Sequence, residues 1–175
     1  AGNSWAGFDE LPTFEQLENP KSNLATEVYT SDGKVLGKYF YQNRVEVNYK
    51  ELSPNLVNAL VSTEDERYYS HSGIDLRGLA RAVIKAGQSG GASTITQQLA
   101  KMLFSDTPQS TWDRIKQKLQ EWIIAAQLER RYTKEEIIAM YFNRVDFVNN
   151  AVGIKSAAQV YFGKSPSELE ITEAA

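Results

Sequence analysis

One stretch of this chain constrains its fold more than any other. From about Thr111 to Arg131 the residues read as one long helix, and between Trp122 and Ala126 every side chain is apolar. A helix that is apolar all round over such a stretch is buried on most sides. Ile115, Leu119, Trp122 and Ala126 recur at helical spacing and predict its main apolar stripe. Glu121 stands directly before the apolar run. An ionised carboxylate there is costly unless it is paired or put to use.

The chain around this helix divides into short elements. Residues 1–24 are irregular and polar, broken by Pro12 and Pro20. Ala25–Thr30 and Val35–Tyr41 read as the strands of a hairpin turned at Ser31-Asp32-Gly33-Lys34. A third extended piece is expected at Val45–Asn48. After that the sequence is helical. Ser53 caps a helix with Pro54 in its first position, ending near Glu66. Asp75 caps a second, with Leu76, Leu79 and Val83 on one face and Arg77, Arg81 and Lys85 as a cationic stripe on another. Gly87 to Gly91 is a flexible break. Ser93 is expected to cap a third helix, apolar at Ile95, Leu99 and Met102 and polar at Thr94, Gln97, Gln98 and Lys101. Thr107-Pro108 opens the loop to the long helix. Thr133-x-x-Glu136 is a capping box for a helix over Lys134–Arg144. A further helix is expected over Gly153–Phe162, ended by Gly163. Ser165-Pro166 turns the chain into a last helical start at Ile171–Ala175.

Composition removes whole classes of chemistry. With 42% hydrophobic and 23% charged residues in 175, the chain is ordinary globular material. It has no cysteine, which excludes disulfides, thiolate zinc sites, iron–sulfur clusters and cysteine nucleophiles. His71 is the lone histidine, so no site can use two imidazoles. A net charge of −3 argues against a nucleic-acid partner but leaves room for a local cationic patch. No run of 18 apolar residues occurs, and the start lacks the pattern of a signal peptide.

Several groups remain as candidates for chemistry. The densest is Glu64-Asp65-Glu66-Arg67-Tyr68-Tyr69-Ser70-His71-Ser72-Gly73, at a helix end and in the loop after it. Such a place can aim a carboxylate into a cleft, or it can be a solvated helix end with a capping histidine. Glu121, with Lys118 three residues before it, is either a working carboxylate or half of a structural ion pair. Gly90-Gly91-Ala92-Ser93-Thr94 precedes a helix start, which suits an anion, or is a flexible loop with an ordinary cap. Two separated carboxylates without a histidine pair suit chemistry at an anomeric carbon. Extra cations suit a phosphate-bearing leaving group.

Five stretches, in order, carry a resemblance. Glu64-Asp65-x-x-Tyr68-x-x-His71-x-Gly73 resembles the first motif of the family 51 peptidoglycan glycosyltransferases. Gly91-Ala92-Ser93-Thr94-Ile95-Thr96-Gln97-Gln98-Leu99-Ala100-Lys101 resembles the second, and Lys118-x-x-Glu121 the third. Arg131 to Ile138 with Tyr141-x-Asn143-x-Val145 resembles the fourth, and Gly153 to Lys164 the fifth. The chain departs from the family at Tyr68, where Phe is usual, at Ala92 for a second Gly, and at Gln117, which removes an Arg.

The resemblance implies a mainly α, lysozyme-like glycosyltransferase fold with a short N-terminal β-hairpin. It divides the chain into a juxtamembrane segment with the hairpin, 1–48, and a glycosyltransferase domain, 49–175, cut short at its C-terminal end. The implied substrates are lipid II and the growing glycan chain. Glu64 would be the general base and Glu121 would assist on the donor side, through a divalent cation (magnesium or manganese) or by orienting the leaving group. No organic cofactor is implied. Asp65, Arg67, Arg81, Ser93, Thr94, Gln97, Gln98, Lys101 and Lys118 would bind substrate, the cations meeting the pyrophosphate. His71 and Gly73 would organise the first motif. The Met102–Trp112 region would touch the membrane surface. The implied location is the outer face of the bacterial cytoplasmic membrane, with an anchor before Ala1 and a transpeptidase domain downstream. A lysozyme-like hydrolase and an inactive glycan-binding module are the rival readings.

Overall fold

A computed structural model describes residues 26–29, 35–39, 46–84, 93–104, 110–148 and 151–175. The expectations for residues 1–24, the 31–34 turn, the side chain of Val83, Lys85, Gly87–Gly91 and Thr107-Pro108 lie outside the described residues. Strands β1 (Thr26–Tyr29) and β2 (Val35–Tyr39) pair antiparallel, Thr26 opposite Tyr39, with an irregularity between Val28 and Tyr29. Among the described residues all else is helix or loop, in agreement with the mainly α class expected.

Local chemistry sets the helix ends. The Ser53 hydroxyl accepts the Asn55 N–H at 3.2 Å and starts α1 (Pro54–Glu64). The same hydroxyl donates to the Leu169 carbonyl at 2.8 Å, tying this start to the far end of the chain. Asp75 starts α2 (Leu76–Ile84) by accepting the Gly78 N–H at 3.0 Å. Helices α3 (Ile95–Phe104) and α4 (Thr111–Arg131) follow. The Thr133–Glu136 box opens α5 (Lys134–Arg144): each side chain accepts the other's backbone N–H, at 3.2 and 2.7 Å. Gly163, at φ +63°, ends α6 (Ile154–Phe162) in the left-handed conformation open to glycine. A short 3₁₀ turn over Pro166–Glu168 leads to α7 (Ile171–Ala174), which packs on α1.

Helix α3 is the centre. It packs against both α4 and α5, with Ile95, Thr96, Leu99 and Ala100 sealed from solvent. Tyr68, Leu128, Ile137 and Ile138 complete the core around it. The polar side expected of this helix is only partly a solvent face: Thr94 and Gln97 are buried, with Thr96 beside them, whereas Lys101 is exposed. Helix α1 stops at Glu64 rather than Glu66, because Asp65 turns away to make contacts described below. The expected third extended piece is a lone strap. The side-chain amide of Asn143 binds both the N–H and the C=O of Val47, each at 2.9 Å, in place of a neighbouring strand.

The face of α4 turned inward differs from expectation. Glu121, Ile124, Ala125 and Leu128 are buried. Ile115 and Leu119, placed in the apolar stripe by periodicity, are 48% and 42% exposed. Trp112 and Ile123 are exposed on the same side. At about 100° per residue, positions 112, 115, 119 and 123 form one ridge, and Glu121, nine residues on from Trp112, faces the opposite way. The helix has two apolar faces, and periodicity selected the outer one. The Met102–Phe104 segment divides likewise: Met102 is exposed, whereas Leu103 and Phe104 pack against the core.

The two faces predict opposite mutational costs. Leu99→Ala should lower stability by about 2–5 kcal/mol, whereas Leu119→Ala should stay within about 0.5 kcal/mol. Urea unfolding of the two variants checks this.

Candidate active site

The end of α1 and the start of α3 are joined by one carboxylate. Asp65 is buried. Its Oδ2 accepts the Ile95 N–H at 3.1 Å, satisfying one of the amides left open at a helix start. His71 Nε2 lies 2.9 and 3.0 Å from the two carboxylate oxygens. The carboxylate can only accept here, so Nε2 carries the proton and Nδ1 is left buried without a partner among the described residues. Sequence patterning expected Ser93 to cap α3. The cap is Thr94, whose hydroxyl accepts the Gln97 N–H at 3.2 Å while Gln97 Oε1 accepts the Thr94 N–H at 3.3 Å. The amides of Ile95 and Gln97 are therefore engaged within the protein rather than open to an anion. The glycines expected to open that anion site, Gly90 and Gly91, lie outside the described residues.

The loop of the first motif is pinned from two sides. Thr94 Oγ1 donates to the Gly73 carbonyl at 2.6 Å. Gly73 has φ +84°, and a Cβ there would come 3.0 Å from the Ala125 carbonyl oxygen on α4, so glycine is required twice over. Lys134 Nζ donates to the His71 carbonyl at 2.7 Å and to Glu129 Oε1 at 2.8 Å. Thr96 Oγ1 donates to the same Glu129 oxygen at 2.6 Å. The Lys134 ammonium also sits 4.2 Å from the centre of the Tyr68 ring. Burial first, then the Glu129 charge, pushes the Tyr68 phenol far above its ordinary value.

The two candidate carboxylates are both tied to the start of α3. Glu64, at the last residue of α1 and open to solvent, accepts from Gln98 Nε2 at 2.7 Å. Gln98 in turn accepts from the Tyr141 hydroxyl at 3.1 Å. Glu121 is only 4% exposed. Lys118 Nζ bonds its Oε2 at 3.0 Å and the Ser93 hydroxyl at 2.7 Å. Ser93 thus serves the Lys118–Glu121 pair rather than the helix. Glu64 presents a carboxylate to solvent, while Glu121 is desolvated and clamped.

Arg67 lies apart from these groups. Its guanidinium grips Asp75 through both Nη2 and Nε, the latter at 3.1 Å. Burial works to raise the Asp75 pKa, but Arg67 and the Gly78 N–H outweigh it and hold the carboxyl below the usual range. Arg81 and Lys101 are exposed.

The residue expected to meet a magnesium or manganese ion is Glu121. One oxygen already faces an ammonium. Among the described residues no group of three or more His, Asp or Glu side chains could hold a metal.

Thr96, Asp75, Glu129, Lys134 and Tyr141 were not singled out from sequence as site residues. The Thr96–Glu129–Lys134 contact spans three helices, so no local pattern carried it. Tyr141 and Lys134 do fall inside the fourth motif.

The transglycosylase family model matches residues 32–175, and the chain belongs to that family. Penicillin-binding protein 1A of Neisseria flavescens is 37% identical over 172 residues, covering 96% of this chain and 21% of that protein. The protein of the same name in Escherichia coli (strain K12) is 37% identical over 170 residues, covering 95% and 20%. That of Haemophilus influenzae is 39% identical over 153 residues, covering 85% and 18%. The chain spans about a fifth of the length of these curated relatives. The family read from the five motifs is thereby borne out.

The Arg67–Asp75 pair has a pH signature. Because the folded pKa of Asp75 lies below its unfolded value, the pair stabilises the fold above the unfolded value, about 3.9. That stability is lost as pH falls through the lower folded value. Arg67→Gln should therefore be less stable than wild type at neutral pH and lose less on acidification below about pH 4. Thermal melts across that range measure the difference.

Proposed function

We propose that this chain is a peptidoglycan glycosyltransferase that extends glycan strands from lipid II. The observation that carries the reading is the pair of unlike carboxylates held to one helix start. Glu64 is open and oriented by an amide donor; Glu121 is buried and clamped by Lys118. Family membership supplies the reaction class.

In this reading Glu64 takes the proton from the 4-hydroxyl of the acceptor sugar. That oxygen bonds to C1 of the growing donor chain as the bond from C1 to the pyrophosphate oxygen breaks. The leaving lipid pyrophosphate keeps the electron pair, and the configuration at C1 inverts. Arg81 and Lys101 have heads in solvent and are the cations available to meet the pyrophosphate. Lys118 supplies a further charge while holding Glu121 and Ser93. Thr94 and Gln97 act as the frame of the helix start, and Gln98 as the partner of Glu64. Arg67 acts through Asp75, orienting the start of α2.

The outer ridge of α4 supports a membrane contact at the outer face of the bacterial cytoplasmic membrane. Trp112, Ile115, Leu119 and Ile123, with Met102, expose apolar surface without a partner among the described residues. No helix among the described residues is long and apolar enough to cross a membrane. The relatives, about five times longer, are named penicillin-binding proteins, which supports a further, transpeptidase domain in the parent protein.

Glu64→Gln should reduce polymerisation of lipid II by at least about a hundredfold while leaving the fold intact. Release of soluble fragments from a finished glycan by wild type, with no polymer from lipid II, would favour a hydrolase instead. Replacing Ile115 and Leu119 together by Ser should weaken sedimentation with phospholipid vesicles at little cost in stability. Unchanged vesicle binding would remove the ridge from the membrane contact.

A further inference from the structure

A chain of hydrogen bonds crosses three helices and ends on Glu64. The Tyr141 hydroxyl, on α5, donates to Gln98 Oε1 at 3.1 Å, and Gln98 Nε2, on α3, donates to Glu64 Oε2 at 2.7 Å. The direction of this chain is set at its Glu64 end. The Glu64 carboxylate offers only acceptors, so the Gln98 amide must turn its nitrogen toward it. The amide oxygen then faces Tyr141, and only a phenol that keeps its proton can satisfy it. Tyr141 meets that condition: it is buried, and burial first and the Glu64 charge second raise its pKa. Turned over, the amide would set its oxygen against the Glu64 carboxylate and lose that bond, whereas the phenol oxygen could still accept from the amide nitrogen. The carboxylate thus selects the orientation of a half-exposed amide, the buried phenol anchors that amide in place, and the amide holds an exposed carboxylate that would otherwise sample many rotamers.

We propose that Tyr141 is a positioning residue for Glu64, acting through Gln98. It rests on the reading of Glu64 as the general base. Tyr141 touches no substrate. It holds the amide that holds the carboxylate, so its loss is felt in the chemical step rather than in substrate binding.

The experiment is steady-state polymerisation of lipid II by the full-length protein carrying Tyr141→Phe, Gln98→Ala and both together. Tyr141→Phe keeps the buried ring and removes one oxygen. It should lower kcat about tenfold with KM changed by less than about twofold. In the Gln98→Ala background the same change should have no further effect, because the link to Glu64 is already gone. Gln98→Glu, which sets a second carboxylate against Glu64, should be at least as impaired as Gln98→Ala. A wild-type kcat for Tyr141→Phe, an equal loss in both backgrounds, or a change in KM alone would each overturn the proposal. So would a fully active Gln98→Glu. Thermal midpoints of all variants separate loss of fold from loss of rate, and Gln98→Glu decides the matter should Tyr141→Phe not fold. Polymer formation by Glu64→Gln would instead refute the base assignment itself; inactivity of that variant beside an unimpaired Tyr141→Phe refutes the positioning role alone.

Discussion

The buried carboxylate of Asp65 is the joint on which the site depends. Three pieces of chain converge there: the end of α1, the His71 loop and the first amide of α3. Each partner supplies a donor, and each would be left buried and unmatched without it, at roughly 1–3 kcal/mol per group. A negative charge at a helix start is also favoured by the aligned peptide dipoles. One residue therefore ends a helix, starts another and holds the imidazole. Glu64 is its chain neighbour, so holding Asp65 also places the backbone of Glu64 against α3. Only the side chain of Glu64 is left to be oriented, by Gln98.

The second polar cluster works by similar logic from the other side. Glu129 collects the Thr96 hydroxyl and the Lys134 ammonium on one oxygen, and Lys134 spends a further N–H on the His71 carbonyl. The Glu129 side chain is 6% exposed, so it depends on these donors, and removing any one would strand the others. With Thr94 on the Gly73 carbonyl, the His71–Gly73 loop is bonded to both α3 and α5. Loops are usually the softer parts of a fold. This one is fastened at two carbonyls and seated against α4 by a glycine that leaves no room for a Cβ.

Much of this frame was legible in the residues, and the illegible parts share a cause. Helix starts at Ser53, Asp75 and Thr133 could be read because a cap is a contact over two or three residues. Thr94 was missed in favour of Ser93 because both can cap, and the choice was made by Lys118, a residue 25 positions away that claimed Ser93. Arg67 was assigned to the pyrophosphate through the family resemblance; its partner Asp75 lies eight residues on, beyond any local pattern. Lys118 with Glu121 was visible as an i, i+3 pair. Whether that pair was buried could not be read, since burial depends on which face of α4 turns inward. Periodicity finds an apolar stripe; it does not say against what the stripe lies.

That ambiguity has a functional side. A 21-residue helix is a rod about 32 Å long. On one edge α4 carries Glu121, clamped by Lys118 and bonded onward to the start of α3. On the opposite edge it carries Trp112, Ile115, Leu119 and Ile123. An ordinary surface helix would be polar there. A ridge that settles on a lipid surface fixes the distance of the opposite edge from that surface, because the helix does not compress. The substrate of the proposed reaction has one end in the bilayer and its reacting sugar outside it. In the proposed reading, a rod with an apolar edge and a clamped carboxylate half a turn away would hold the reacting centre at constant height above the lipid. The pattern that misled the reading of the core is the one the proposed membrane contact would use.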